Sequence, residues 1–216
     1  MSDYLSGNNP GSVQSEHEEH VHRDDMSSKI GMWLFLLTEV LLFGGLFLLY
    51  MAYRVKYTGN FHDAALELNM KIGTFNTLIL ITSSLTMALS IAAMQRARKG
   101  LSIFLLVSTQ ALGIFFLINK FFEWSAKFHH GLYPGSETLL NRPKGEYIFF
   151  GMYYAMTGLH ALHVIAGLTL LTFMLVFIIR NKVNPDNYIR LENSGLYWHL
   201  VDLIWIFLFP LFYLMR

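Results

Sequence analysis

Cysteine is absent from the 216-residue chain. Disulfide frameworks and thiolate metal sites are thereby excluded. Charge is scarce: 14% of residues are Asp, Glu, Lys or Arg, and the formal net charge is +1. That balance gives no electrostatic support for binding nucleic acid. No internal repeat is visible, and no long stretch alternates with period two, which disfavours membrane barrel strands. The first 28 residues are polar, so no secretory leader is expected.

What the sequence has is long apolar runs. Hydrophobic residues make up 54% of the chain. A helical membrane span needs about 20 mostly apolar residues. Five stretches qualify, near residues 29–53, 71–94, 101–124, 147–179 and 195–215. The expected fold is all-α: a polytopic bundle of five transmembrane helices over 29–216, preceded by a polar, disordered cytoplasmic tail, 1–28. Basic residues are shared almost evenly between the two sides. The short loop with Arg96, Arg98 and Lys99 is the densest signal and is placed in the cytoplasm. The N-terminus is then cytoplasmic and the C-terminus outside. The tail histidines, His17, His20 and His22, read as a solvated segment rather than a metal site. The segment Phe128 to Gly145, with "HHGLYPGS" and "NRPKG", reads as a turn-rich loop that caps the outer surface or meets a partner.

Polar residues inside the spans are the informative ones. Asn76, Ser83 and Ser90 are seven apart and share one helix face with Thr86 nearby, the pattern of a packing seam. Gly151, Ala155 and Gly158 suggest a close-approach face on the fourth span. Lys120 and Glu123, three apart, are expected to pair near the outer surface, with Lys120 snorkelling toward it. Glu39 lies in "LFLLTEVLLFGG", far from other charges, where a carboxylate is expensive and usually functional.

His160 and His163 lie three apart on the fourth span, and His199 and Asp202 three apart on the fifth. They read either as haem ligands or as groups bonding to neighbouring helices and lipid. Counted from the expected span ends, His163 lies about 25 Å deep and His199 about 6 Å. A gap of roughly 19 Å argues against a shared haem. No set of histidines and carboxylates closes a metal site. A proton-coupled transporter using Glu39, Lys120 and Asp202 is a further alternative, weakened by the lack of a repeat.

The chain resembles subunit III of the haem–copper terminal oxidases, the cytochrome c and quinol oxidases. The resemblance is carried by "KIGMWLFLLTEVLLFGGLF", "NTLILITSSLTMALS", "TGLHALHVIAG" and "LENSGLYWHLVDLIWIFLFPLFYL". It implies an accessory membrane subunit, non-catalytic by itself, that stabilises a proton-pumping oxidase of the aerobic respiratory chain. Haem and copper would lie in the partner catalytic subunit I; this chain would bind no cofactor. Its implied partners are subunits I and II, structural phospholipid and a larger respiratory supercomplex, in a bacterial cytoplasmic membrane. Glu39 falls on the family's intramembrane glutamate, read as an interhelical anchor or a proton-route group, with the anchor preferred. His160, His163, His199 and Asp202 fall on the family's polar positions, read with Glu123 as lipid or interhelical contacts. The seven-helix members carry a leading helix pair that has no counterpart in the five spans here. "LINKFFEW" also departs from the usual glutamine and Glu-Tyr pair. Pro210 is expected to kink the last span. Two alternatives stay open: a haem b or quinol-binding redox subunit, and an accessory subunit of a nitric oxide reductase.

Overall fold

The computed structural model describes the backbone of residues 10–185 and 187–215, with side chains from residue 26 onward. His17, His20 and His22 lie outside the described side chains. The helices are α1 (Pro10–Lys56), α2 (Thr58–Leu66), α3 (Met70–Gln95), α4 (Lys99–His129), α5 (Glu137–Leu140), α6 (Lys144–Ile179) and α7 (Ile189–Phe209). A π-helical segment, Pro210–Leu214, follows α7 directly. No strand occurs among the described residues, and five helices are long and apolar enough to cross a membrane.

The chain divides into two compact units, Met1–Glu39 and Val40–Arg216. Among its described residues the first contains the start of α1, which takes in the polar segment from Pro10. Its apolar part exposes Trp33, Leu34 and Leu37, and the Thr38 hydroxyl turns back to the Phe35 carbonyl at 2.7 Å.

The second unit is the bundle. Its hydroxyls show how helices carry polar atoms in hydrocarbon, where every group needs an internal partner. Thr74, Thr77, Thr82, Ser108, Thr157 and Thr172 each donate to the carbonyl four residues earlier. Helix ends are fixed locally. The Asn69 side chain accepts from the Lys71 and Ile72 amides at the start of α3, and Ser136 caps α5. α2 falls in a loop where sequence reading foresaw no element. Its apolar residues Phe61, Ala64 and Ala65 recur at helical spacing and are fully buried.

Three local expectations are corrected. α7 starts at Ile189, six residues before the expected 195, because "IRLEN" continues the helix as a polar first turn. Pro210 does not merely kink the last span: it has no N–H to continue the α ladder, and the chain widens to π geometry, with Met215 N–H bonding to the Pro210 carbonyl at 3.0 Å. Of the expected close-approach face on α6, Gly151 meets nothing within 4 Å and Ala155 is exposed, and only Gly158 packs closely, an added Cβ lying 3.3 Å from the Trp124 ring. The tighter approaches on α6 are at Gly145, against Asn60 and Tyr57, and at Gly167, where an added Cβ would lie 2.9 Å from the Trp198 ring. An indole there leaves room only for glycine.

Candidate functional site

The polar interior of the bundle is built on three neighbouring surfaces of α3, α4 and α7. Asn76, Ser83 and Ser90 are all fully buried. Toward α4, the Asn119 amide donates to Asn76 Oδ1 at 3.0 Å, Thr86 meets Thr109 at 2.8 Å, and Ser90 donates to the Ser102 carbonyl at 2.9 Å. Toward α7, Trp198 Nε1 donates to Ser83 Oγ at 2.8 Å and Trp205 Nε1 to Thr77 Oγ1 at 3.1 Å. Ser84 Oγ lies 2.7 Å from His199 Nδ1. The seam therefore ties α3 to both neighbours through its short hydroxyl and amide side chains.

A second centre is ionic. Lys120 and Glu123, on α4, are 3% and 6% exposed. Lys120 Nζ is 3.0 Å from Glu123 Oε2, and donates to the Tyr153 and Tyr213 hydroxyls at 3.0 and 2.8 Å. Both tyrosines in turn donate to Glu123 Oε1, at 3.0 and 2.5 Å. The ammonium also lies over the rings of Tyr153, Trp205 and Tyr213, 4.9–5.3 Å from their centroids. The expected snorkelling of Lys120 is thus corrected. Its head is enclosed, because α6 and the π-helical segment bring two phenols and α7 an indole around it. The width of the segment after Pro210 sets where Tyr213 stands. Lys127, one turn beyond Glu123 on the same face, is 6% exposed and donates to the Glu67 carbonyl at 3.2 Å.

Sequence reading singled out Lys120 and Glu123 but missed Lys127, Tyr153 and Tyr213. The spacing of Lys120, Glu123 and Lys127, three and four apart, is a signal for Lys127. Nothing in the sequence pattern pairs Tyr153 and Tyr213 with them.

The remaining candidates are dispersed. Glu39 is half-buried on α1. His160 is fully buried, its ring against Phe116 and Trp205 at 5.6 and 5.3 Å between centroids, with no hydrogen-bond partner for either nitrogen among the described residues. His163 is half-buried, with Nδ1 2.8 Å from the Leu159 carbonyl and its ring edge-on to Phe43. Asp202 is 3% exposed beside Ser84, but that hydroxyl is committed to His199, and among the described residues neither Asp202 oxygen has a partner of normal geometry.

The depth argument about the histidines is also corrected. Tyr197 donates to the His163 carbonyl at 3.2 Å, so His199, two residues on, stands level with His163. The early start of α7, six residues at the helical rise, accounts for about 9 Å of the expected gap. The imidazoles nevertheless face different helices: His199 meets α3, His163 meets α1, and His160 meets α4 and α7. No group of three or more histidines and carboxylates that could hold a metal occurs among the described residues.

A bundle of this kind, with apolar helices and polar groups spent on joining them, is a polytopic membrane protein. A family model described as cytochrome c oxidase subunit III matches residues 8–216. A probable cytochrome c oxidase subunit 3 of Nocardia farcinica is 30% identical over 208 residues, 96% of this chain and 97% of the relative. A probable quinol oxidase subunit 3 of Staphylococcus saprophyticus is 28% identical over 199 residues, 91% of this chain and 92% of the relative. A heme-copper oxidase subunit I+III of Aeropyrum pernix is 31% identical over 189 residues, 85% of this chain and 22% of that longer protein. The chain belongs to the cytochrome c oxidase subunit III family. It functions as an accessory subunit of a haem–copper oxidase, which places it in aerobic respiration.

Proposed function

We propose that this chain packs against the haem- and copper-bearing subunit I of its oxidase, beside subunit II, and keeps that subunit's proton-uptake route in working order. The supporting observation is the Aeropyrum relative, whose name joins subunits I and III in one protein. A fusion keeps both parts in one complex, which supports their packing side by side in the membrane. The bundle's chemistry agrees with a scaffold. The Lys120, Glu123, Tyr153 and Tyr213 groups satisfy one another, and the seam groups are spent on α3, α4 and α7. In this reading the polar tail is a separate cytoplasmic segment, and the membrane is the bacterial inner membrane. The N-terminus lies in the cytoplasm, and the side of α2 and α5 lies outside. His160, His163, His199, Asp202 and Glu123 act as interhelical or lipid contacts.

Glu39 is the group we assign to the interface with the catalytic subunit, as a polar anchor. Glu39→Gln keeps the shape and most hydrogen bonds while removing the titration. Unchanged proton pumping and sustained turnover are expected. Loss of pumping with assembly intact would instead make Glu39 a proton carrier.

The reading is tested by a mild-detergent pull-down of the tagged chain from its native membrane, with the subunits identified by mass spectrometry. A haem- and copper-bearing subunit at near one-to-one amount is expected. Recovery of the chain alone, or with an unrelated transporter, would overturn it.

A further inference from the structure

The ionic centre joins a file of oxidisable rings that ends at the protein surface. Ring centroids are 6.5 Å apart from Tyr213 to Tyr153, 5.3 Å from Tyr153 to Tyr154 and 5.3 Å from Tyr154 to Trp124. Trp124 and Tyr133 line a cleft of about 470 Å³ beside Phe121, which is 70% exposed. In a chain without cysteine, phenols and indoles are the side chains most readily oxidised by one electron. Neighbouring rings at this spacing pass such a vacancy along.

The rings differ in where a proton can go. An oxidised phenol is a strong acid, and it becomes a stable neutral radical only when a base within hydrogen-bond reach takes its proton. Tyr213 and Tyr153 both have one: their hydroxyls donate to Glu123 Oε1 at 2.5 and 3.0 Å. The other carboxylate oxygen, Oε2, is held by Lys120 at 3.0 Å, which leaves Oε1 to the phenols. Nearer the cleft the rings have no such acceptor. The Tyr154 hydroxyl and the Trp124 indole N–H are buried with no hydrogen-bond partner among the described residues. A vacancy on either ring has no base to take its proton, so it moves on to the pair that has one. Lys120 also donates to the Tyr153 and Tyr213 oxygens, at 3.0 and 2.8 Å, and a phenoxyl oxygen can keep those bonds.

We propose that Tyr213 and Tyr153 form a redox-active phenol pair, with Glu123 as proton acceptor and Tyr154 and Trp124 as the electron route to the surface cleft. The oxidant is a peroxyl radical, the class formed where carbon radicals meet dioxygen in a membrane. At the cleft it takes one electron from Trp124 and one proton from water, and becomes a hydroperoxide. Tyr154 and Tyr153 pass the vacancy inward. At Tyr213 the O–H bond breaks: the electron refills the route, and the proton goes to Glu123 Oε1, leaving a neutral phenoxyl. Glu123 then stands uncharged beside the Lys120 ammonium, which costs free energy and restricts the step to strong oxidants. A one-electron reductant of the quinol class at the cleft returns the electron, and Glu123 returns the proton. This activity lies beyond the accessory role and needs no residue of a partner subunit.

The test exposes the purified complex to peroxyl radicals from a lipid-soluble azo initiator, freezes it at successive times and reads radicals by high-field electron paramagnetic resonance. The protein carries ring-deuterated tyrosine, so that a phenoxyl signal narrows and is told apart from metal signals. Wild type should give a narrowed phenoxyl signal whose low gx value marks an oxygen that accepts hydrogen bonds. Y153F combined with Y213F should lose most of that signal. W124F, which lies outside the ionic centre and keeps the test open should the double variant fail to assemble, should slow its appearance. No phenoxyl in wild type, or an equal signal in an assembled double variant, would overturn the proposal. An unchanged rate in W124F would overturn the route. A gx value typical of a phenoxyl without hydrogen bonds would overturn the part given to Glu123 and Lys120.

Discussion

The hydroxyl seam and the ionic centre solve the same problem in opposite ways. Both place polar atoms inside helices that lipid surrounds. The seam uses small neutral groups that leave backbones close together, and each bond is shared between only two residues. The ionic centre uses full charges and closes them with two phenols and an indole from other helices. The first is redundant, because losing one bond leaves the rest. The second is not, because each member neutralises or desolvates another. Removing part of it leaves a buried charge uncompensated.

The largest effect is therefore expected at the ion pair. Lys120→Met should destabilise the bundle by about 3–5 kcal/mol, since Glu123 keeps its burial and loses its counter-charge. Adding Glu123→Leu should recover most of that loss. A double-mutant cycle by denaturant unfolding measures the coupling, and additive single effects would end the claim that the centre acts as a unit. Next comes Gly167→Ala, which sets a methyl 2.9 Å from Trp198 and should cost about 1–3 kcal/mol by overpacking. A neutral result would mean that α6 and α7 separate freely, and the contrast in packing would dissolve. Trp198→Phe removes the indole donor to Ser83 and should cost about 1 kcal/mol. Ser90→Ala should cost least, about 0.6 kcal/mol, as single interhelical hydrogen bonds in membranes do. A Ser90→Ala penalty near that of Lys120→Met would show that the seam is as cooperative as the ionic centre.

The two regions also differ in how far the sequence discloses them. The seam is legible because its period of seven lies within one helix, so Asn76, Ser83 and Ser90 can be placed on one face before any partner is known. The five spans are legible for the same reason, as local apolar length. The ionic centre is only half legible. Lys120 and Glu123 are local, but Tyr153 and Tyr213 come from elsewhere in the chain, and their approach depends on the widened turn after Pro210. Read alone, a lysine near a helix end looks like a snorkelling one. The level of His199 was misjudged because the polar residues of "IRLEN" look like loop, although they form the first turns of α7. α2 was missed because nine residues are too few for a span and its apolar face is short.

In the proposed function this chain stabilises an oxidase whose chemistry lies in its partner. Its most direct test is oxygen consumption by the purified complex with and without this chain, followed until activity decays, alongside the visible haem spectrum. An unchanged haem spectrum and an initial rate largely retained are expected, with activity lost markedly sooner when the chain is absent. Disappearance of haem absorption or of the initial rate together with the chain, while the catalytic subunit remains folded, would contradict it.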